Sequence, residues 1–532
     1  MVGRGILGRG GGSHDVRCGE GRDRSAVNGR APHGTRLAKS WQGRPDLSSD
    51  EKKGSATDEM RFFRPPFIAR IDNIESRWSL PTIVWLSSRS PSPLGQPPHV
   101  TQRLIDSHQE SLATVAAHNR RWCRWLIVSL WLLIAATAPL WNFPLEWWMG
   151  LSGDSSVSAD TFGSVPRVPL VPIDSRTAGW VGTIGIGLAA LSSVFSLWRP
   201  DDRRGWCGLA VGLIACFAAD QLTLQPWAYL NLLHVGLRIL RPPAAIGFHG
   251  LLTALVYFYS GLNKLDLLFM LTVGRTMADQ LTWGWSETLE HLPRSAIVLA
   301  LPTIELMAGL GLCFRRWRPR LVWAVYAIHL GLLTVLGPWG LDHSWGVLLW
   351  NGVCLVNAWF LFRDHAPEPT LPSDSVGVPS WRRVLASAYV GLFAVLPLGD
   401  RTGNWDHWLS WSVYAPHTSR ASLQIRRGVL SPRELSAGPW RDETSVESRT
   451  VDFDAFTLRD RWVPAYPQAR YQYELAKRLV ERGDWGSGVT VEVSSAADRR
   501  RGKRHSQRRL FGTDAIIRSD WRSLRSDDKW AR

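Results

Sequence analysis

The chain has 532 residues, and its 62 Lys and Arg outnumber 46 Asp and Glu, giving a formal charge of +16 at pH 7. Mean hydropathy of −0.10 averages two unlike materials, because the Arg-rich polar ends flank a middle that holds most of the long apolar runs. Six cysteines with no C-x-x-C pair argue against a disulfide framework, a zinc knuckle or a thioredoxin-type centre, and the absence of P-loop, G-x-G-x-x-G, G-x-S-x-G and H-E-x-x-H patterns removes the common nucleotide-binding, hydrolase and metalloprotease classes.

Residues 1–120 form a basic N-terminal region with few apolar residues and no signal-peptide core, and are expected to be disordered, with Met60 an alternative start. Within them a short amphipathic helix is expected around Thr101 to His118. From 121 to 398 the apolar runs approach the length a helix needs to cross a bilayer. The expected spans are 124–141, 179–198, 206–221, 224–240, 245–263, 295–314, 321–337, 344–362 and 383–398. Asp220, Gln221, Gln225 and Pro226 interrupt the third and fourth, so the total is eight or nine. A polar break at this depth, with Trp227, Tyr229 and His234 close by, is the kind that lines a cavity. Many of the 30 tryptophans flank these runs, as an aromatic belt at the headgroup layer would.

Arginine clusters arbitrate the count. Arg120, Arg121 and Arg124, then Arg199, Arg203 and Arg204, then Arg238 and Arg241, then Arg315 to Arg320, then Arg363, Arg382 and Arg383 all fall on one side if there are nine spans. The positive-inside rule makes that side cytoplasmic. The expected location is therefore a plasma or inner membrane, with the N-terminus cytoplasmic. The end of the fifth span and everything after about Asp400 are then non-cytoplasmic. The bilayer itself is an expected partner and nucleic acid is not, since no fold signature accompanies the charge.

Residues 399–495 are expected to form a small soluble α+β domain, with strands at Thr450 to Leu458 and Gly488 to Ser494. A helix is expected from Gln468 to Arg482, with Glu474 and Arg478 spaced as an i,i+4 pair. The aromatic stretch Asn404 to Arg420 is expected to dock on the bundle, and residues 496–532 are expected to be a basic tail. The fold class is thus an all-α polytopic membrane helix bundle with a small C-terminal α+β soluble domain.

The chemistry concentrates in Tyr257-Phe258-Tyr259-Ser260-Gly261-Leu262-Asn263-Lys264-Leu265-Asp266, which closes the fifth apolar run. An ammonium at the bilayer centre costs about 2.5–3.5 kcal/mol on insertion scales, so ionisable groups there tend to be functional. Glu305 lies inside the sixth run and His329 inside the seventh. The candidate catalytic set is Lys264 as base, Glu305 as its electrostatic partner and His329 as a polar contact; Tyr257, Tyr259 and Asp266 are candidate cofactor or substrate contacts. Each also has a plain structural reading. Lys264 can snorkel to headgroups, Glu305 can fix packing in an interhelical pair, and His329 can donate to a carbonyl. Asp266, at i+2, points away from Lys264. Asp342, His343, Asp406, His407 and His417 near the outer face form a loose set of divalent-metal donors, with no diagnostic spacing.

The motif ending in Gly261-x-x-Lys264-Leu265-Asp266, followed two helices on by Tyr326 and His329, resembles the HTTM membrane domain shared with vitamin K-dependent gamma-carboxylases. Over roughly residues 180–400 the span order fits as well. Pro302, Glu305, Leu306 and Gly309 also fit a pattern of the smaller DoxX and MauE-like membrane proteins. The resemblance implies a reduced quinone as the lipid-soluble substrate or cofactor, with Lys264 taking the hydroquinone proton. That role demands a neutral amine, which burial favours. Asn263 stands where animal carboxylases have a second lysine, and the C-terminal part of about 130 residues is too short for their protein-gripping region. Quinol chemistry survives those departures better than glutamate carboxylation does. The alternative is a non-enzymatic membrane scaffold or partner subunit in which the same residues form buried ion pairs.

Overall fold

The breaks in the apolar runs are also the helix ends. The computed structural model describes residues 98–143, 161–240, 245–282, 293–363, 380–402, 405–441, 445–504 and 506–521; of the region 1–120 expected to be disordered, residues 1–97 and the Met60 start lie outside them, and residues 98–120 are helix instead. The first helix, α1 (Pro98–Ala136), absorbs the expected amphipathic helix and the first apolar run into one rod. Asp174 caps α2 (Ser175–Trp198) by accepting from the Thr177 N–H, and Asp202 caps α3 (Arg203–Ala219) through Arg204. Asp220 ends α3 and caps the single turn at 221–223, after which Pro226 opens α4 (Pro226–Leu240). There follow α5 (Ala245–Lys264), the short α6 (Leu267–Leu271) capped by Asp266, and α7 (Val273–Thr282). Then come α8 (Arg294–Leu312), α9 (Arg318–Leu336), α10 (Trp345–Ala358), whose last turn widens over Trp359–Arg363, and α11 (Ser380–Val395).

All nine proposed spans are helical, but five are long and apolar enough to cross a membrane: α2, α8, α9, α10 with its wide turn, and α11 with the turn after it. Between 22% and 39% of each is buried, so most of their apolar surface faces outward. Among the rest, the N-terminal half of α1 is polar, α3 and α4 have 17 and 15 residues, and α4 is buried along most of its length, as a core helix is.

Two glycines set a close crossing of α5 and α8. Gly261 on α5 lies against the backbone of Pro302 and Leu306 on α8, and Gly309 on α8 lies against Ala254 and Phe258 on α5. A Cβ at Gly261 would stand 2.6 Å from the Pro302 carbonyl oxygen, and neither backbone can yield without parting the helices. Gly261→Ala is therefore expected to cost about 1–3 kcal/mol, measured as a lower thermal midpoint in detergent than for an exposed control such as Gly187→Ala, where the added Cβ meets nothing within 4 Å.

The C-terminal part is a four-stranded antiparallel sheet in the order β2-β1-β3-β4, built from β1 (Arg420–Arg426), β2 (Ser448–Thr450), β3 (Val489–Ser494) and β4 (Gln507–Phe511). Ala421, Leu423 and Ile425 alternate inward on β1 and Val489, Val491 and Val493 on β3. Across them packs α14 (Ala469–Gly483), which buries Tyr473, Leu475, Ala476 and Leu479. Two short helices, α12 (Pro432–Ala437) and α13 (Phe453–Arg461), precede it, and α15 (Thr513–Arg518) follows β4. The α+β expectation holds, with two corrections. Thr450 to Leu458 is not one strand: β2 ends at Thr450 and Asp452 caps α13 through the Ala455 N–H, so all but the start of the expected strand is helix. The basic run after 496 is no loose tail either, because its arginines sit in the loop and edge strand that complete the sheet. Arg478 hydrogen-bonds Ser175 Oγ at 3.2 Å, tying α14 to the start of α2.

The bundle and the sheet share one clamped segment. Arg461 donates to the Val165 carbonyl at 2.8 Å, Asp460 accepts from the Val165 N–H at 2.9 Å, and Arg470 reaches Gln221 at 3.0 Å. The same segment presents Arg167 to Asp220 at 3.0 Å, both buried. The polar break that sequence alone marks as a cavity lining is thus a paired anchor for the C-terminal domain.

Candidate functional site

The last two turns of α5 carry the site, and helical spacing divides them into two faces. Tyr257, Ser260 and Lys264 lie at i, i+3 and i+7, on one side. Tyr259, Asn263 and, just past the helix end, Asp266 lie on the other. The first face looks into the bundle; the second meets α11 and the C-terminal domain.

On the inner face the Lys264 ammonium donates to Ser260 Oγ and to Glu305 Oε2, each at 2.6 Å. Both partners are fixed by the Gly261–Gly309 crossing, which brings α5 and α8 close enough for these side chains to meet. Their side chains are 10% and 13% exposed, which places the pair almost out of solvent. One turn or two back, Tyr257 O–H contacts His329 Nε2 at 2.9 Å. His329 Nδ1 meets Asn351 Oδ1 at 2.8 Å, while Asn351 Nδ2 donates to the Val347 carbonyl at 2.9 Å. Because the Asn351 amide is oriented by that last bond, its oxygen must accept, so His329 carries its proton on Nδ1 and Tyr257 donates to Nε2. Lys264, Glu305 and His329, separate signals in sequence, belong to one neighbourhood of four helices.

The outer face meets a second cluster. Asn263 Nδ2 donates to the Ser410 carbonyl at 2.6 Å, and its oxygen accepts from Arg499 at 3.0 Å. Asp266 caps α6 through the Phe269 N–H with one oxygen and contacts His417 Nδ1 at 3.2 Å with the other. Asp400, at the end of the turn after α11, is the hub. It accepts from His407 Nδ1, from Ser412 Oγ at 3.0 Å and from Arg499 at 2.7 Å, and lies 3.5 Å from His417 Nε2. Tyr259 donates to the Ala394 carbonyl on α11, so of the sequence-predicted contacts Tyr259 ties α5 to α11 and Asp266 meets the C-terminal domain through His417.

Asp400, His407 and His417 each offer one donor atom, all within 4.8 Å of one another. His417 even has the habit of a metal-bound imidazole, one nitrogen on a carboxylate and the other without a hydrogen bond. Arg499 argues the other way, since its guanidinium holds the same Asp400 oxygen that faces His417. Two carboxylates, one guanidinium and one imidazolium sum to zero, whereas a dication would leave the buried cluster positive. A proton on His417 is the better fit. Burial opposes that charge, yet the bond to Asp266 and the Asp400 carboxylate 3.5 Å from Nε2 outweigh it and hold the His417 pKa above its ordinary 6.5. Of the other loose metal donors, Asp406 instead takes the Tyr466 hydroxyl at 2.6 Å and the Trp408 N–H at 2.9 Å.

A raised pKa stabilises the folded state fully below about 6.5, and that contribution is lost as pH rises through the folded value. The C-terminal domain is accordingly expected to loosen from the bundle as pH rises through the raised His417 value. Hydrogen exchange of residues 405–419 against pH checks this; His417→Gln should flatten the dependence while His343→Gln leaves it intact.

Sequence reasoning missed Asp400 and Arg499 as site members, and also Ser260 and Asn351. Ser260 carried a signal, lying one turn before Lys264 inside the quoted motif; Asn351 stood out as an amide within an apolar run. Comparisons with family models, with curated proteins and with solved structures return no match, so the site is argued from its own geometry.

Proposed function

We propose that the chain is a multi-pass integral membrane protein whose Lys264–Glu305 pair takes a proton from a lipid-soluble hydroxylated substrate, a quinol in the first instance. The observation that carries this reading is a lysine, a carboxylate and a serine hydroxyl within 2.6 Å contacts in an almost dry site. A charged pair held out of water lies close in energy to its neutral form, since low dielectric penalises both charges. Transfer of the Lys264 proton to Glu305 leaves a neutral amine, which takes the substrate hydroxyl proton; the pair then holds one proton more than its ionic form, with Lys264 as the base and Glu305 as its partner. Exposed Ile304 and Met307 flank Glu305 on α8, which supports a lateral approach from lipid. The outward apolar surface of five span-length helices supports the membrane itself. The HTTM resemblance agrees with the Lys264 role; a protein-glutamate substrate finds no support in the small sheet domain. The proposed orientation keeps the Lys264 end and the C-terminal domain non-cytoplasmic.

The test is oxidation of a reduced naphthoquinone by dissolved dioxygen, which deprotonation of the hydroquinone accelerates, with the full chain in lipid vesicles and the reaction followed by absorbance. Lys264→Arg keeps a cation yet cannot exchange a proton near neutrality, and is expected to lose at least tenfold in rate while remaining folded. Wild-type protein without any quinol turnover over a liposome blank, or Lys264→Arg at wild-type rate, sinks the proposal.

One observation favours a second reading, a scaffold without catalysis. The pair lies immediately beside the Gly261–Gly309 crossing, where an ion pair would pin α5 to α8 whatever else it did.

A further inference from the structure

A cleft of about 750 Å³ opens at the other end of the bundle, between the start of α1's apolar half and the turn joining α2 to α3. His249, near the start of α5, packs against Trp122 at this end, and the 15 residues from His249 to Lys264 place the two sites about 22 Å apart along the helix. Five arginines line the cleft: Arg120, Arg124, Arg199, Arg203 and Arg204. Only two carboxylates accompany them, and both are committed elsewhere. Asp202 caps α3 through the Arg204 N–H at 2.9 Å, and Asp201 faces Arg238 at 3.8 Å. Among the described residues none of the five guanidiniums forms an ion pair, and Arg203 Nε is buried without a hydrogen-bond partner. The positive end of α3 points into the same space.

Two exposed apolar stripes run away from this cleft. On α2 they are Leu191, Val194 and Trp198, at i, i+3 and i+7, with Trp198 87% exposed at the rim. On α3 Val211 and Ile214 continue the same side of the hairpin. We infer that the cleft binds the phosphate of an anionic phospholipid, with its acyl chains laid along the α2 and α3 stripes. The chemistry that recognises it is a phosphodiester against a fork of guanidiniums, and a tryptophan at the headgroup level marks the depth. The inference rests on the proposed membrane reading but not on the Lys264 chemistry.

The test uses the full chain purified in a neutral detergent, with thermal midpoint and native mass read in parallel. Added phosphatidylglycerol is expected to raise the midpoint and remain bound, and phosphatidylcholine of the same chains is not. Glycerol phosphate and inorganic phosphate, lacking chains, are expected to require at least a hundredfold higher concentration. Arg199→Gln/Arg203→Gln, and independently the exposed pair Arg120→Gln/Arg124→Gln, should lower bound phosphatidylglycerol at least tenfold, while Arg315→Gln/Arg316→Gln on the α8–α9 turn should not. Equal binding of phosphatidylcholine, full occupancy by free phosphate at lipid concentrations, or unchanged binding in both cleft variants would each overturn the inference. A chain that floats with vesicles yet shows no anionic preference loses this inference alone; one that does not partition into vesicles loses the membrane reading with it.

Discussion

Glu305→Leu is expected to lower the unfolding free energy by about 3–5 kcal/mol, because it strands the Lys264 ammonium in a site where its side chain is 10% exposed. Solvent screening does little at that exposure, and Ser260 Oγ at 2.6 Å is a single neutral acceptor for three N–H groups. Lys264→Met alone should cost a similar amount by stranding the carboxylate. The double variant Lys264→Met/Glu305→Leu should recover most of either loss, since apolar replacement of a whole buried pair is often near neutral. Denaturant titration in mixed micelles, arranged as a double-mutant cycle, measures the coupling. The same double variant separates the two readings of the site. A scaffold pinned by packing should work nearly as well with two apolar side chains, whereas a proton-accepting pair should be inactive though folded. Single variants costing under about 1 kcal/mol would mean that the ammonium has found water, and the buried-pair geometry would be wrong.

The inner half of this site was legible because the background is apolar. In runs such as LPTIELMAGLGL and VYAIHLGLL one ionisable residue has nowhere ordinary to go, so Glu305 and His329 declare themselves. Helical spacing then puts Tyr257, Ser260 and Lys264 on one face without any structure. What sequence could not say was which helices are neighbours; that follows from the glycine crossing of α5 and α8, and Gly261 and Gly309 alone do not specify a partner. The outer half was legible only in part. Asp266 and His417 stood out as a candidate contact and a candidate metal donor, but Asp400 and Arg499 lie in polar surroundings, where a charge is unremarkable until burial is known, and nothing in the sequence joins the four segments. The basic stretch after 496 misled in the same way: Arg499 and Arg504 look like solvated tail but lie half-buried in the domain junction. At Thr450 to Leu458 the strand ends at the first residue, and the Asp452 cap turns the rest of the alternating pattern into a helix.

Asp400→Ala is the second large effect, and it separates docking from chemistry. The substitution removes the acceptor for His407 Nδ1, Ser412 Oγ and Arg499 at once, and leaves the guanidinium held by the Asn263 side-chain oxygen. Burying that charge unpaired costs about 3–5 kcal/mol, which the domain avoids by lifting its 495–504 loop off the end of α5. Exchange protection should fall at Leu267, whose N–H is held by the Arg499 carbonyl at 2.8 Å, and at Ala497, held by His417 at 2.8 Å. Asp400→Asn keeps acceptors for Ser412 and Arg499 but not the charge, so its loss should be intermediate. Helices α8, α9 and α10 make no bond to Asp400 among the described residues, and their protection should stay at the wild-type level. Because Asn263 and Lys264 are neighbours on one helical turn, freeing the outer face should also slacken Lys264 and slow any proton transfer that depends on its placement. Unchanged protection at Leu267 and Ala497 in Asp400→Ala would show that the carboxylate does not hold the domain, and the proton on His417 would lose its purpose with it.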